Sequence, residues 1–201
     1  MEAGRTAAIV LAAGASSRYG QPKALAPLAG RPVLQHVLDA VAAVGVADVV
    51  VVLGADADQI ERSMHWRSER RLRNPKPEDG LSSSLRLGLD GVSAGCDAAL
   101  ILLGDQPLVR VDVMERLLAG FVSAARPIVL PRYRDGGGSN PLLIHRVAWT
   151  LAREARADRG LGPILRDHPE LLVQVDVEGS NPDIDTPDDL AAIEASFHRH
   201  P

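Results

Sequence analysis

The sequence predicts an α/β protein: a three-layer α/β/α sandwich, Rossmann-like, built around a mostly parallel sheet. Three observations carry that prediction. Residues 7–11, 49–53 and 98–103 are uninterrupted apolar runs, the pattern of strands covered on both faces. Longer stretches between them repeat their apolar residues at helical spacing. Strand and helix then alternate along the chain, the order that builds a parallel sheet with helices on its faces.

Length and composition narrow the class further. The 201 residues suit a single domain, 1–201, with chain enough to bury a core. Aromatic residues make up only 3%, so Ala, Val, Ile and Leu must fill that core. A formal net charge of −4 argues against general attraction to nucleic acid or a membrane surface. Any anionic ligand must therefore be met by a local basic cluster. Cys96 is the one cysteine, so no internal disulfide can form and a reducing, cytoplasmic setting is expected. Neither a leader pattern nor a run of membrane-spanning length is present, and no membrane partner is expected.

The elements follow in order. Residues 7–11 form the first strand and lead into the loop Leu11-Ala12-Ala13-Gly14-Ala15-Ser16-Ser17-Arg18-Tyr19-Gly20-Gln21-Pro22-Lys23. Arg31-Pro32 opens a helix carrying Val33, Leu34, Val37, Leu38, Val41 and Val44, closed by Gly45; His36 and Asp39 fall off the stripe, toward solvent. After the strand at 49–53, residues 56–63 make a short helix and 67–73 a surface strand rich in arginine. Residues 74–84 are a loop feeding a helix with Leu85, Leu89 and Val92 inward; its serines, Ser82 to Ser84, either cap that helix or serve a ligand. The strand at 98–103 runs into Gly104-Asp105-Gln106-Pro107, followed by a helix with Val113, Leu117 and Phe121 inward. Residues 128–130 form a strand ending before Pro131; a glycine-dense loop at 135–141 follows, then a strand at 141–144 and a short helix at 147–153. Residues 153–162 read as a loop and 171–177 as the last strand. Thr186, Pro187 and Asp189 mark the capped start of a final helix, with Leu190, Ile193 and Phe197 inward.

Two segments of opposite charge carry the chemistry. Between residues 3 and 38 stand Arg5, Arg18, Lys23 and Arg31 with no acid. Gly14 and Gly20 let the loop backbone turn its N–H groups inward as an anion nest, and Arg18 and Lys23 add fixed positive charge beside it. That combination points to a polyphosphate. It is neither a P-loop, since Lys23 precedes Ala24, nor a dinucleotide fingerprint, since no G-x-G-x-x-G occurs. Residues 176–189 are the inverse, with six acids and no base. In Asp183-Ile184-Asp185 an extended backbone puts both carboxylates on one side. Asp105 sits at the carboxyl end of a central strand, where open α/β sheets bind ligands. Hard oxygens from two loops suit Mg²⁺, which makes Asp105, Asp183 and Asp185 candidate metal ligands. The six histidines form no zinc pattern and no Ser/His/Asp set is discernible.

LAAGASSRYGQPK with LAGRPVLQHVL, NPKPEDGLSSSLRLGL, ILLGDQP and DIDTPDDL, in that order, resemble the nucleotidyltransferases that build molybdenum-cofactor dinucleotides. The nearest likeness is to their cytidylyltransferases. The resemblance implies the nucleotide-diphospho-sugar transferase type of fold and Mg²⁺-dependent transfer of CMP from CTP, with GTP as the other candidate. The acceptor it implies is the terminal phosphate of molybdopterin, and the partner a molybdoenzyme or its chaperone; the alternatives are a cytidylyl- or guanylyltransferase acting on a sugar or polyol phosphate and a non-catalytic nucleotide-binding protein using the same loop. The guanylyl members carry Gly where this chain has Ala12 or Ala13, which favours CTP. By the same likeness Leu11, Ala12, Ala13, Gly14, Ser16, Arg18, Lys23, Ser83 and Asp105 would hold the nucleotide, with Arg18, Lys23 and Asp105 catalytic. Asp105, Asp183 and Asp185 would hold the metal, and Gly138, Asn140 and Asp158 the acceptor. Two segments depart from the family pattern: Ala157-Asp158-Arg159-Gly160-Leu161-Gly162 and Gly138-Ser139-Asn140-Pro141. Both fall on the acceptor side.

Overall fold

The structure is a computed structural model that describes residues 5–14, 19, 21–123, 126–136, 138–156 and 160–197. The elements run β1 (Thr6–Ala12), β2 (Pro27–Leu28), β3 (Arg31–Pro32), α1 (Val33–Val44), β4 (Asp48–Leu53), α2 (Ala57–Ser63), β5 (Arg70–Arg73) and α3 (Leu81–Gly91). They continue with β6 (Ala98–Leu103), α4 (Val111–Ser123), β7 (Ile128–Tyr133), β8 (Leu142–His145), α5 (Trp149–Ala152), α6 (Gly162–Asp167), β9 (Leu172–Val177) and α7 (Pro187–Phe197). Seven strands form one sheet in the order β5-β4-β1-β6-β8-β7-β9. Only β8 runs against the others, pairing antiparallel with β6 and β7. The sheet is therefore mostly parallel, as the apolar runs require.

Alternation along β1 divides the core in two. Ala7, Ile9 and Leu11 face a layer made by α3, α5 and α6, including Leu85, Leu89, Trp149 and Leu165. Ala8 and Val10 face the other layer, where Leu34, Val37, Leu38 and Val41 of α1 meet Ile60, Met114 and Leu117. Every β1 residue except Ala12 is buried, so β1 is the strand about which both layers close. Gly45 ends α1 in the left-handed conformation, φ 71°, which glycine adopts without a Cβ penalty. A third, smaller cluster joins α7 to the β2–β3 hairpin through Ala26, Leu28, Val33, Ile184 and Ile193.

The structure departs from the sequence reading in several places. β7 continues through Pro131 to Tyr133. Its pairing with β8 ends at Val129, and beyond that point it pairs only with β9, so the missing proline N–H costs no bond to β8. None of the serines caps α3: the N-cap is Gly80, which places Ser82 to Ser84 inside the first turn. His36 and Asp39 are engaged, because the β2–β3 hairpin folds back over α1. His36 Nε2 hydrogen-bonds the Leu28 carbonyl at 2.9 Å, and Asp39 pairs with Arg31 and Arg67. The hairpin and α6 were too short to give a periodic signal. The capping box at α7 is present: the Thr186 N–H donates to Asp189 Oδ2 at 2.7 Å, and the Asp189 N–H donates to Thr186 Oγ1 at 3.2 Å. Among the described residues, no helix is long and apolar enough to cross a membrane.

The edge strand β5 is stapled to its neighbour by one carboxylate. Asp48 accepts from Arg70 Nε and Nη2 at 3.1 and 2.5 Å and from the Ser93 N–H at 2.9 Å. Burial would raise the Asp48 pKa, but these donors outweigh it and hold the carboxyl below its usual value. A depressed carboxylate adds stability above its unfolded pKa and loses it as pH falls through the folded value. Asp48→Asn should therefore cost about 1–2 kcal/mol at neutral pH. That deficit should close as pH drops below about 4, as read by denaturant melts across pH.

Candidate active site

The chain leaves β1 toward β4 and β5 on one side, and only later fills β6 on the other. The crevice at the carboxyl ends of β1 and β6 is thus the topological switch point of the sheet. The two ends are held together by the Gly104 N–H donating to the Leu11 carbonyl at 2.8 Å. On the other flank Gly54 follows β4, and a Cβ there would lie 2.5 Å from the Ala13 carbonyl oxygen. Only glycine lets these backbones approach so closely.

Lys23 enters the crevice from a short 3₁₀ turn, Lys23–Leu25, whose Ala24 is buried. Its Nζ donates to Asp105 Oδ2 at 3.0 Å and to Asp185 Oδ1 at 2.9 Å. One ammonium thus joins three segments that are far apart in sequence. Burial alone would lower the Lys23 pKa; the charges and hydrogen bonds of Asp105 and Asp185 more than offset this and hold it above its usual value. Asp105 and Asp185 are also fixed through the backbone. Ile184, fully buried, donates its N–H to the Asp105 carbonyl at 3.0 Å. The segment 183–185 is therefore extended with Ile184 turned inward, as its sequence pattern requires.

Asp183 lies deeper. It accepts from Gln106 Nε2 at 2.5 Å, while burial and the nearby Asp105 charge push its pKa up. Gln106 Nε2 also reaches the Asn181 carbonyl at 3.3 Å, and Asn181 Nδ2 donates to Gln106 Oε1 at 3.2 Å and to the Asn140 carbonyl at 3.2 Å. Tyr133, whose hydroxyl is pushed up to about 12 by burial, donates to the same Asn140 carbonyl at 3.0 Å. Gln106 and Asn181 therefore link the acid segment to the glycine-dense loop. Sequence reasoning missed both. The available signal was an amide directly after Asp105 and another two residues before Asp183.

The predicted residues distribute as follows. Leu11, Ala12, Gly14, Lys23 and Asp105 line one small pocket together with Asp56 and Gly104. Ala13 is buried against the opposite core layer. Ser16, Arg18 and Gly20 lie outside the described residues. The Ser83 hydroxyl donates to the Gly80 carbonyl at 2.8 Å and accepts from Asn74 Nδ2 at 2.7 Å, which ties the 74–80 loop to α3. A second cavity of about 180 Å³ opens beside the first and shares Leu11 with it. Its walls are Leu81, Leu85, Ile101, Leu103, Leu142, Leu161 and Leu165, with Ser139, Asn140, Gly160 and Gly162 at the polar end. Asn140 is thus on a cavity, Gly138 is exposed beside it, and Asp158 lies outside the described residues.

The donor set suits a hard divalent cation. Asp105 and Asp185 each bring an oxygen to one cationic centre, and Asp183 is close enough to feel both charges. Among the described residues no group of three or more carboxylate, histidine or cysteine side chains is arranged as a ready cage. Mg²⁺ is commonly held in just that incomplete way, by one or two carboxylates with water and substrate phosphate. The amide link gives a structural test. Gln106→Leu removes the hydrogen bonds that Gln106 makes to Asp183 and to the buried Asn181, whose Nδ2 keeps only the Asn140 carbonyl, and should cost about 1–3 kcal/mol in thermal or denaturant melts.

Comparisons with known proteins fit this geometry. Residues 8–172 match the model of the MobA-like NTP transferase domain. The nicotine blue oxidoreductase of Paenarthrobacter nicotinovorans is 31% identical over 89% of this chain and 91% of its own. The bifunctional protein GlmU of Sorangium cellulosum is 31% identical over 80% of this chain, which spans only 31% of that longer protein. Among solved structures, Rv0371c of Mycobacterium tuberculosis in complex with manganese superposes with a TM-score of 0.83 at 26% identity, covering 96% of this chain and 99% of the other. The chain belongs to the MobA-like NTP transferase domain family.

Proposed function

We propose that this chain transfers CMP from CTP to the terminal phosphate of molybdopterin in a Mg²⁺-dependent reaction that releases pyrophosphate. The observation that carries the reading is the pair of adjoining cavities at the switch point. One is lined by Lys23 and Asp105, the other by leucines with Asn140 at its rim. The first suits a triphosphate. The second suits a flat heteroaromatic ring better than a polyol, whose hydroxyls would find few partners against leucine.

The chemistry then needs little from the protein beyond position and charge. The acceptor phosphate is already ionised at neutral pH, so its oxygen attacks the α-phosphorus of CTP without a general base. The new P–O bond forms as the bond to pyrophosphate breaks. Lys23, with Arg18, neutralises charge gathering on the triphosphate. A divalent ion, when bound by Asp105 and Asp185, would supply further charge neutralisation there. Leu11, Ala12, Gly14, Ser16 and Ser83 belong to the nucleotide side, and Gly138, Asn140 and Asp158 to the acceptor side. The product would pass to a molybdoenzyme or its chaperone. The buried, lone Cys96 suits a reducing compartment, and we place the reaction in the cytoplasm.

A second reading keeps cytidylyl or guanylyl transfer and changes the acceptor to a sugar or polyol phosphate, while a non-catalytic nucleotide-binding protein would release no pyrophosphate with any acceptor. A third follows from the relative of matching length, a named oxidoreductase: the leucine-lined cavity would then hold a flat redox substrate. One assay separates them. Pyrophosphate release should require CTP, Mg²⁺ and molybdopterin, with slower release from GTP and little with sugar or inositol phosphates. Lys23→Ala and Asp105→Ala should lower the rate about 10²–10³-fold, and Asn140→Ala should raise KM for the acceptor while leaving CTP affinity unchanged. Release with a sugar phosphate and not with molybdopterin would establish the second reading. Redox turnover without pyrophosphate release would establish the third.

A further inference from the structure

The ion pairs around Lys23 bear on what the crevice does before a nucleotide arrives, on the reading that Asp105 and Asp185 hold a divalent cation. We propose that Lys23 is a built-in placeholder: its ammonium occupies the cation's position in the free protein and must leave when the cation enters.

The geometry supports an exchange and not a shared site. Nζ lies 3.0 Å from Asp105 Oδ2 and 2.9 Å from Asp185 Oδ1, so the ammonium engages the same two carboxylates that would hold the cation. A small divalent ion needs those oxygens at about 2.1 Å, so the ammonium cannot remain in contact with both. The carboxylates have little freedom to part and admit a second cation, because buried Ile184 pins its segment to the Asp105 carbonyl. The Lys23 and Asp105 side chains are 15% and 27% exposed and Asp185 is 52% exposed, so water screens the repulsion between two cations weakly on the Asp105 side. Lysine is suited to the move, being a compact charge on a flexible four-carbon stem. It has somewhere to go, since the pocket it lines with Gly14 is the proposed triphosphate site.

The functional consequence is coupling between ligands. A bare cation must displace the ammonium from Asp105 and Asp185 with nothing offered in exchange, so it binds weakly. A cation arriving with a triphosphate gives the ammonium phosphate oxygens in exchange. Metal and nucleotide therefore bind cooperatively, and the residue that neutralises the empty site is the same one that grips the filled site. The acids stay paired in both states.

The chain has only two lysines, Lys23 and Lys76, and Lys76 is exposed, which provides an internal control. The free wild-type protein would be labelled with acetic anhydride, with and without Mn²⁺ and with no nucleotide present, and each lysine followed by mass spectrometry. Mn²⁺ should speed labelling of Lys23 by about fivefold or more and leave Lys76 unchanged. In parallel, Mn²⁺ affinity measured by electron paramagnetic resonance should be about tenfold higher in Lys23→Met than in the wild type. That gain should vanish in Lys23→Met/Asp185→Asn. Lys23 labelling that is unchanged or slowed by Mn²⁺ would overturn the proposal, as would a Lys23→Met protein that binds Mn²⁺ no more tightly. Neither measurement uses CTP or an acceptor, so failure here is distinct from failure of the transferase reading, which would appear in the pyrophosphate assay.

Discussion

Two carboxylates brought from distant parts of the chain to one crevice repel each other unless a cation or a shared proton offsets their charge. In this protein Asp105 and Asp185 meet at the carboxyl edge of the sheet, and Lys23 supplies the charge that lets them stay there. Much of the architecture follows from that constraint. Asp105 needs β6 beside β1, Asp185 needs the 183–185 segment laid across the end of β6, and Lys23 needs its 3₁₀ turn, Lys23–Leu25, set beside both. The apolar cluster in which Ile184 meets the β2–β3 hairpin and α7 is what secures the 183–185 segment. Its burial fixes the acids as much as it stabilises the helix.

The division of labour between the two core layers explains why two cavities open side by side. Because successive β1 residues face opposite layers, Ala12 looks toward α1 and α2 while Leu11 looks toward α3 and α6. The pocket with Lys23 and Asp105 touches the first layer, through Ala24 and Ile60, and the leucine-lined cavity lies wholly in the second. Leu11 is the shared wall. The buried amides of Gln106 and Asn181 then connect the acids to the rim of the apolar cavity through the Asn140 carbonyl. A disturbance on either side has a hydrogen-bonded route to the other.

The parallel sheet was legible because residues 49–53 and 98–103 carry no polar residue, and strands covered on both faces tolerate none. Asp105 was legible because it ends such a strand, and Asp183 and Asp185 because an isoleucine separates them with extended periodicity. What the sequence could not show was where Lys23 points. Its charge beside a glycine loop suggested a phosphate, whereas in the free protein it serves two carboxylates that lie 82 and 162 residues away. Gln106 and Asn181 were invisible for a related reason: a buried amide looks like a surface amide until its partners are known. The arrest of β7 at Pro131 was an overreading of proline, since only tertiary pairing reveals that β8 has already diverged.

The account rests on the claim that these groups transfer a nucleotidyl unit, and the fate of each CTP phosphorus tests it most directly. Phosphorus-31 spectra of a turnover with CTP, Mg²⁺ and molybdopterin should show the α-phosphorus in a new phosphoanhydride with the acceptor phosphate and the β- and γ-phosphorus together as pyrophosphate. An α-phosphorus that stays in CTP, or leaves as CDP with free orthophosphate, would contradict it.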